Sequence, residues 1–157
     1  AIGYYAGYNH TTGTNNTFIG SGAVGLSGTY SNTITLGNGS ISTIRSQVTS
    51  ITSLSDCRDK TDISSVPYGM NFIKKVRPVS FTWNMRDGGK VGEKELGFIA
   101  QELEEAYNES QLKDWLEGLV ISNTDRSRLE AAPGKLLPLI IKALQELEER
   151  ITTLENK

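Results

Sequence analysis

The sequence predicts an α+β homotrimer with an N-terminal Gly/Ser/Thr-rich β-strand segment, a small α+β domain and a C-terminal parallel coiled-coil helix. Three observations predict it: a step in charge density at residue 54, a recurrence every 17 residues ahead of that step, and a heptad pattern at the C-terminus. Residues 1–54 hold one charged residue, Arg45, whereas the other 33 charges fall in the remaining 103 residues, so the chain divides at 54/55.

The first segment carries 9 of the 16 glycines before position 40 and cannot build a helical core. Ile2-Gly3, Ile19-Gly20 and Leu36-Gly37 recur at a spacing of 17, with Asn15 and Asn32 in step. An apolar residue before each glycine predicts short strands closed by tight turns. Each copy has so few apolar positions that the strands are expected to find their partners in other chains, giving a multichain β-structure. Ile41, Ile44, Val48, Ile51 and Leu54 then form a stripe at helical spacing in a Ser/Thr-rich stretch, which suits either a short triple-helical neck or an extended stalk.

In the second segment, Ser64-Ser65-Val66-Pro67 reads as a helix start, and Tyr68 to Val76 as a helix that Pro78 stops. Val79 to Trp83 alternates as a half-buried strand, Gly88-Gly89 marks a turn, and Leu96 to Ile99 reads as a second strand. Ala100 to Tyr107 is an amphipathic helix. Leu112 to Arg128 fits helix or strand equally. From about 136 to 156, Leu137, Leu144 and Ile151 at heptad position a and Ile140, Leu147 and Leu154 at d form an apolar seam. Mixed Leu and Ile at both positions leans toward a trimer, and Arg150 at g stands five residues before Glu155 at e, the geometry of a pair between parallel chains. The same helix could instead dock on its own domain.

Charge and cysteine usage exclude several classes. A net charge of -2 leaves no nucleic-acid footprint, and one cysteine with one histidine makes neither an internal disulfide nor a structural zinc site. No apolar run is long enough to span a bilayer, no signal peptide is visible, and the chain reads as soluble. A first residue of Ala rather than Met suggests a piece of a longer protein.

The candidate chemistry lies at the composition step, in Ser55-Asp56-Cys57-Arg58-Asp59-Lys60. A serine hydroxyl needs a base, and a desolvated lysine can be one. Five residues of continuous helix would leave Ser55 and Lys60 about 140° apart, so a turn or a neighbouring chain must join them. On spacing alone, Ser55 and Asp56 are more simply a helix-cap or turn pair, and Arg58, Asp59 and Lys60 a solvated charge cluster. Cys57 is an alternative nucleophile. His10 lacks a catalytic partner in the sequence, and Phe81 and Trp83 read as core.

SDCRDKTDI (55–63), GMNFIKKVRPVSFTWN (69–84), GFIAQELEE (97–105) and KLLPLIIKALQELEERI (135–151), in that order, resemble the peptidase S74 family. These are the C-terminal intramolecular chaperone domains of phage tailspikes, tail fibres and endosialidases, found also in the myelin regulatory factor. GYYAGYNHTTGTNNTFIG (3–20) and SNTITLGN (31–38) resemble trimeric fibre repeats. The resemblance implies the C-terminal end of a trimeric β-fibre or stalk at 1–54 and a chaperone and self-cleaving domain at 55–157. It implies that the domain trimerises, assists folding of the fibre upstream and then cuts itself off at Leu54-Ser55, with Ser55 as nucleophile and Lys60 as its general base. One departure is Asp59, where the family position is often apolar; its charge favours a protonated Lys60. The implied reaction needs no metal or cofactor. Its partners are the other copies of the chain and the chain's own upstream segment; its places are the virion tail for the fibre and the host cytoplasm for the released domain. The alternative is a non-catalytic trimeric fibre tip in which Tyr4, Tyr5 and Tyr8 bind a host-surface glycan.

Overall fold

A computed structural model describes residues 1–48 and 50–157, which form two compact units: 1–42 with 76–133, and 43–75 with 134–157. No helix among the described residues is long and apolar enough to cross a membrane.

In the first unit the 17-residue recurrence is a pairing register. Strand β1 (Thr17–Ile19) pairs in parallel with β2 (Ile34–Leu36) as Thr17↔Ile34, Phe18↔Thr35 and Ile19↔Leu36, and Ile2 bridges to Ile19 in the same sense. Each coil of 17 residues therefore stacks on the one before it. Side chains repeat the step: Asn15 Nδ2 donates to Asn32 Oδ1 at 2.8 Å, and Thr33 N and Oγ1 donate to Asn16 Oδ1 at 3.0 and 2.7 Å. Asn15 and Asn32 both sit at left-handed φ, 57° and 62°, which asparagine tolerates. Gly20, at φ 118°, has no room for a side chain, because an added Cβ would stand 3.0 Å from Gly37 Cα.

These strands pair within one chain, which corrects the expectation that their partners lie in other chains. The reason is that backbone hydrogen bonds and Asn/Thr ladders hold the coils, so the stack needs little apolar core. Phe18 and Ala23 are the buried apolar residues of 1–42, and Phe18 lies across Gly7 and Gly25 with His10 tilted on its ring at 5.4 Å.

The same unit holds a hairpin of β3 (Val79–Asn84) and β4 (Val91–Gly97), paired Val79↔Gly97 to Asn84↔Val91 with an irregularity between Thr82 and Asn84. The alternation read in β3 is present, with Val79, Phe81 and Trp83 on the half-buried face. The second strand starts five residues earlier than Leu96, because the turn closed by Met85 N to Lys90 O fixes the register. Helix α1 is Met70–Ile73 alone, not Tyr68 to Val76. Helix α2 (Ala100–Asn108) packs its buried Leu103 and Ala106 toward a second hairpin of β5 (Val120–Ser122) and β6 (Leu129–Ala131). The ambiguous stretch, Leu112 to Arg128, is thus turns followed by the strand β5 and the turn after it. Leu112, Leu116 and Leu119 are buried and Trp115 is exposed.

In the second unit, helix α3 (Leu137–Glu155) follows a 3-10 turn at Pro133–Leu136, and α1 packs on it. Gly69 lies so close that an added Cβ would be 2.3 Å from Ala143 N, and the Glu146 carboxylate accepts from Gly69 N at 3.1 Å and Met70 N at 2.8 Å. This contact fixes the start of α1 against α3. Leu139 and Ala143 are buried, whereas all six seam residues from Leu137 to Leu154 are 40–68% exposed. The helix therefore docks one face on its own unit and leaves its heptad seam bare. The described residues of 43–54 form no helix in the single chain, and Ile51 and Leu54 are fully exposed. β-Branched residues and serines disfavour helix there.

Candidate active site

Within Ser55 to Lys60, Cys57–Asp59 form a 3-10 turn flanked by Asp56 and Lys60. Asp56, extended at φ -65° and ψ 135°, caps it by accepting from Arg58 N at 2.9 Å. Arg58 then closes a fork on the same carboxylate, Nε to Oδ1 at 3.0 Å and Nη2 to Oδ2 at 2.6 Å. The Arg58 guanidinium, and after it the Arg58 backbone N–H, hold the Asp56 carboxyl below the usual aspartate range. The Lys60 backbone N–H closes the turn on Cys57 O at 3.2 Å.

This turn does what a continuous helix could not. A 3-10 turn is wound more tightly than an α-helix, and Lys60 leaves it in extended geometry, φ -130° and ψ 143°, so its side chain folds back over the start. Lys60 Nζ stands 2.6 Å from Ser55 Oγ and 3.1 Å from Ser55 O. The sequence left open which of Ser55 and Asp56 caps the turn. Asp56 does, leaving the Ser55 hydroxyl for Lys60. With Asp56 engaged by Arg58, both hydrogen-bond partners of Lys60 Nζ are on Ser55. Every residue from Ser55 to Lys60 is exposed, Cys57 included.

The other singled-out residues lie elsewhere. His10 is structural: its Nε2 is 2.5 Å from Gly13 O and 3.0 Å from Asn16 Nδ2, inside the first coil. No group of metal-ligating side chains occurs among the described residues. Trp83 meets Phe81 edge to face at 5.0 Å and donates Nε1 to Glu95 Oε2 at 2.6 Å, half-buried within its hairpin. Tyr4, Tyr5 and Tyr8 stack edge to face at 4.4 and 5.6 Å and are exposed. Sequence reasoning missed the Glu146 clasp. The one available signal was a glutamate off the seam of a heptad helix, and its partners are backbone N–H groups, which no residue type announces.

No curated protein matches the chain. Residues 55–112 match the family model Peptidase_S74, described as chaperone of endosialidase, and that match opens on the serine of the turn.

Proposed function

From a chain whose residues 55–112 are a peptidase S74 chaperone domain, we propose an intramolecular chaperone that trimerises, supports folding of the β-segment ahead of it, and then releases itself by cutting Leu54-Ser55. The observation that carries the cleavage is the 2.6 Å approach of Lys60 Nζ to Ser55 Oγ, on the residue that follows the bond to be cut. Trimerisation is supported by the bare heptad seam of α3.

In the proposed reaction an unprotonated Lys60 amine takes the Ser55 hydroxyl proton, and Oγ attacks the carbonyl carbon of Leu54. The C–N bond breaks as the Ser55 nitrogen receives that proton back from Lys60, moving the Leu54 acyl group from nitrogen to oxygen. Water hydrolyses the ester, leaving a Leu54 carboxylate and a Ser55 with free hydroxyl and α-amine. An amine base must lose its proton first, and removal from water favours the neutral form. In one chain the turn is open to solvent, so assembly of three chains is the step that would remove it. Cleavage then follows assembly.

The test is the mass of the expressed protein. The parent should yield a piece beginning at Ser55, Ser55→Ala should stay whole, and Lys60→Arg should also stay whole because arginine keeps the charge without deprotonating. An active Lys60→Arg variant sinks the base role, and an uncut parent favours the second reading, an inert trimeric fibre tip, for which the exposed Tyr4, Tyr5 and Tyr8 cluster is the observation.

A further inference from the structure

Within the first unit, two hairpin turns of the α+β part meet the last coil of the 17-residue stack. The Tyr30 hydroxyl donates to Ser122 O, Ser27 Oγ lies 3.4 Å from Thr124 Oγ1, and Gly89 approaches so closely that an added Cβ would be 2.8 Å from Gly39 O. The two turns are tied to each other, because Arg86 Nη2 donates to Ser127 O at 2.5 Å. Tyr30 belongs to the stack through its backbone: its carbonyl accepts from Asn16 Nδ2 at 2.8 Å. It therefore joins the coil below to the hairpin beside it.

We propose that this pair of tied turns is the surface by which the chaperone domain holds its client, and that the client segment is the last coil, residues 27–39. The inference rests on the chaperone reading above and names the surface it uses. The chemistry of the joint fits a temporary hold. Hydroxyls, carbonyls, glycine contacts and the Asp87 carboxylate make up most of it, with the Met85 methyl beside Gly39 as an apolar contact, and each such hydrogen bond contributes little net in water. While Leu54-Ser55 is intact the joint is intramolecular and benefits from a high effective concentration; after the cut it must hold as a bimolecular contact and pay the loss of free motion. The same joint thus steadies the coil before cleavage and lets go after it.

Hydrogen exchange on the full chain carrying Ser55→Ala, which keeps a single covalent species, tests this. Gly89→Ala sits at an ordinary backbone conformation and pushes a methyl against Gly39 O, so amides of β1 and β2 should exchange about tenfold faster while those of β3 keep their rates. Gly92→Asn, facing open space at a φ of 83° that asparagine tolerates, should change nothing in the stack. Unchanged β1 and β2 rates in Gly89→Ala overturn the proposal. If Gly89→Ala also disturbs β3, Tyr30→Phe decides, since it removes only the bond to Ser122 O; an about threefold rise in β2 exchange supports the joint and no rise overturns it. In the parent chain, cleaved pieces 1–54 and 55–157 that still migrate together at micromolar concentration would overturn the release argument. An uncut parent would sink the proteolysis reading and leave the exchange comparison standing.

Discussion

The two periodic regions of this chain use their periods on different atoms. In residues 1–42 the period of 17 aligns backbone with backbone and asparagine with asparagine, and the coil closes on itself within one chain. In α3 the heptad aligns only side chains, and the six that share the seam face water. A backbone ladder saturates its own donors and acceptors with little apolar area, whereas an apolar seam is stable only when something covers it. Poverty of apolar residues in the first region therefore did not prevent pairing within the chain, while Ile2, Ile19, Ile34 and Leu36 there stay exposed, as the seam residues of the second do.

The largest effect should come from the uncovered period. Leu144→Asp with Leu147→Asp places charges where a trimer would bury them, at a cost of several kcal/mol per chain. Sedimentation should show monomer in place of trimer, with amide protection of β1 and β2 retained. A parent that sediments as a monomer at micromolar concentration breaks the comparison outright. A seam variant that is monomeric yet still cuts itself at the parent rate shows that the Ser55 turn is complete in one chain.

Next in size is the closed period. Gly20→Ala must adopt φ near 118° and bring its methyl within 3.0 Å of Gly37 Cα. Strain at such a φ is about 1–3 kcal/mol. Thermal melting followed in the β region should drop while the sedimentation of the whole chain is unchanged. Equal loss of both would mean that the two regions are not separately stabilised.

Much of this was legible because one level of structure decided it. The alternation of Val79 to Trp83, the amphipathic run of α2, the seam of α3 and the step of 17 are local patterns, and each appears where the residues place it. What was not legible depended on contacts between distant segments. The start of α1 is set by the close approach of Gly69 to Ala143, and β4 starts at Val91 because of the turn that pairs it. The approach of Lys60 to Ser55 comes through a 3-10 turn, which the Asp56 cap and the backbone bonds Asp59 N to Asp56 O and Lys60 N to Cys57 O hold. The end of the stack was in the sequence but not recognised: one period beyond Gly28 stands Arg45, and one beyond Gly37, at φ 75°, stands Leu54. Gly28 has no room for a side chain, an added Cβ falling 2.2 Å from Asn9 O, so a further coil of the same form would clash. The repeat is lost just ahead of the Ser55 turn.

The Glu146 clasp gives a pH-dependent test on the unit that carries the seam. Backbone N–H donation from Met70, then Gly69, with Lys142 and Arg150 nearby, holds the carboxyl below the usual glutamate range. A carboxylate with a depressed folded value contributes stability that is fully present above the ordinary glutamate range and is lost as pH falls through the folded value. The melting temperature of the parent should therefore decline on acidification below the ordinary range, and Glu146→Gln should remove that part of the slope. An identical slope in the two proteins would show that the clasp does not hold α1 on α3.

The smallest effect should come from one rung of the asparagine ladder. Asn15 donates to Asn32 across an exposed edge at 2.8 Å, and its left-handed φ is one that alanine takes less readily. Asn15→Ala removes the bond and adds backbone strain, together about 1–2 kcal/mol. Asn15→Gly removes the same bond but relieves the strain, so it should melt above Asn15→Ala while remaining below the parent. That order assigns the ladder and the φ their separate shares in a coil with almost no core. If Asn15→Gly instead melts with the parent, the Asn15–Asn32 rung contributes nothing and the backbone pairing of Ile2, β1 and β2, with the other rungs such as Thr33 on Asn16, holds the stack.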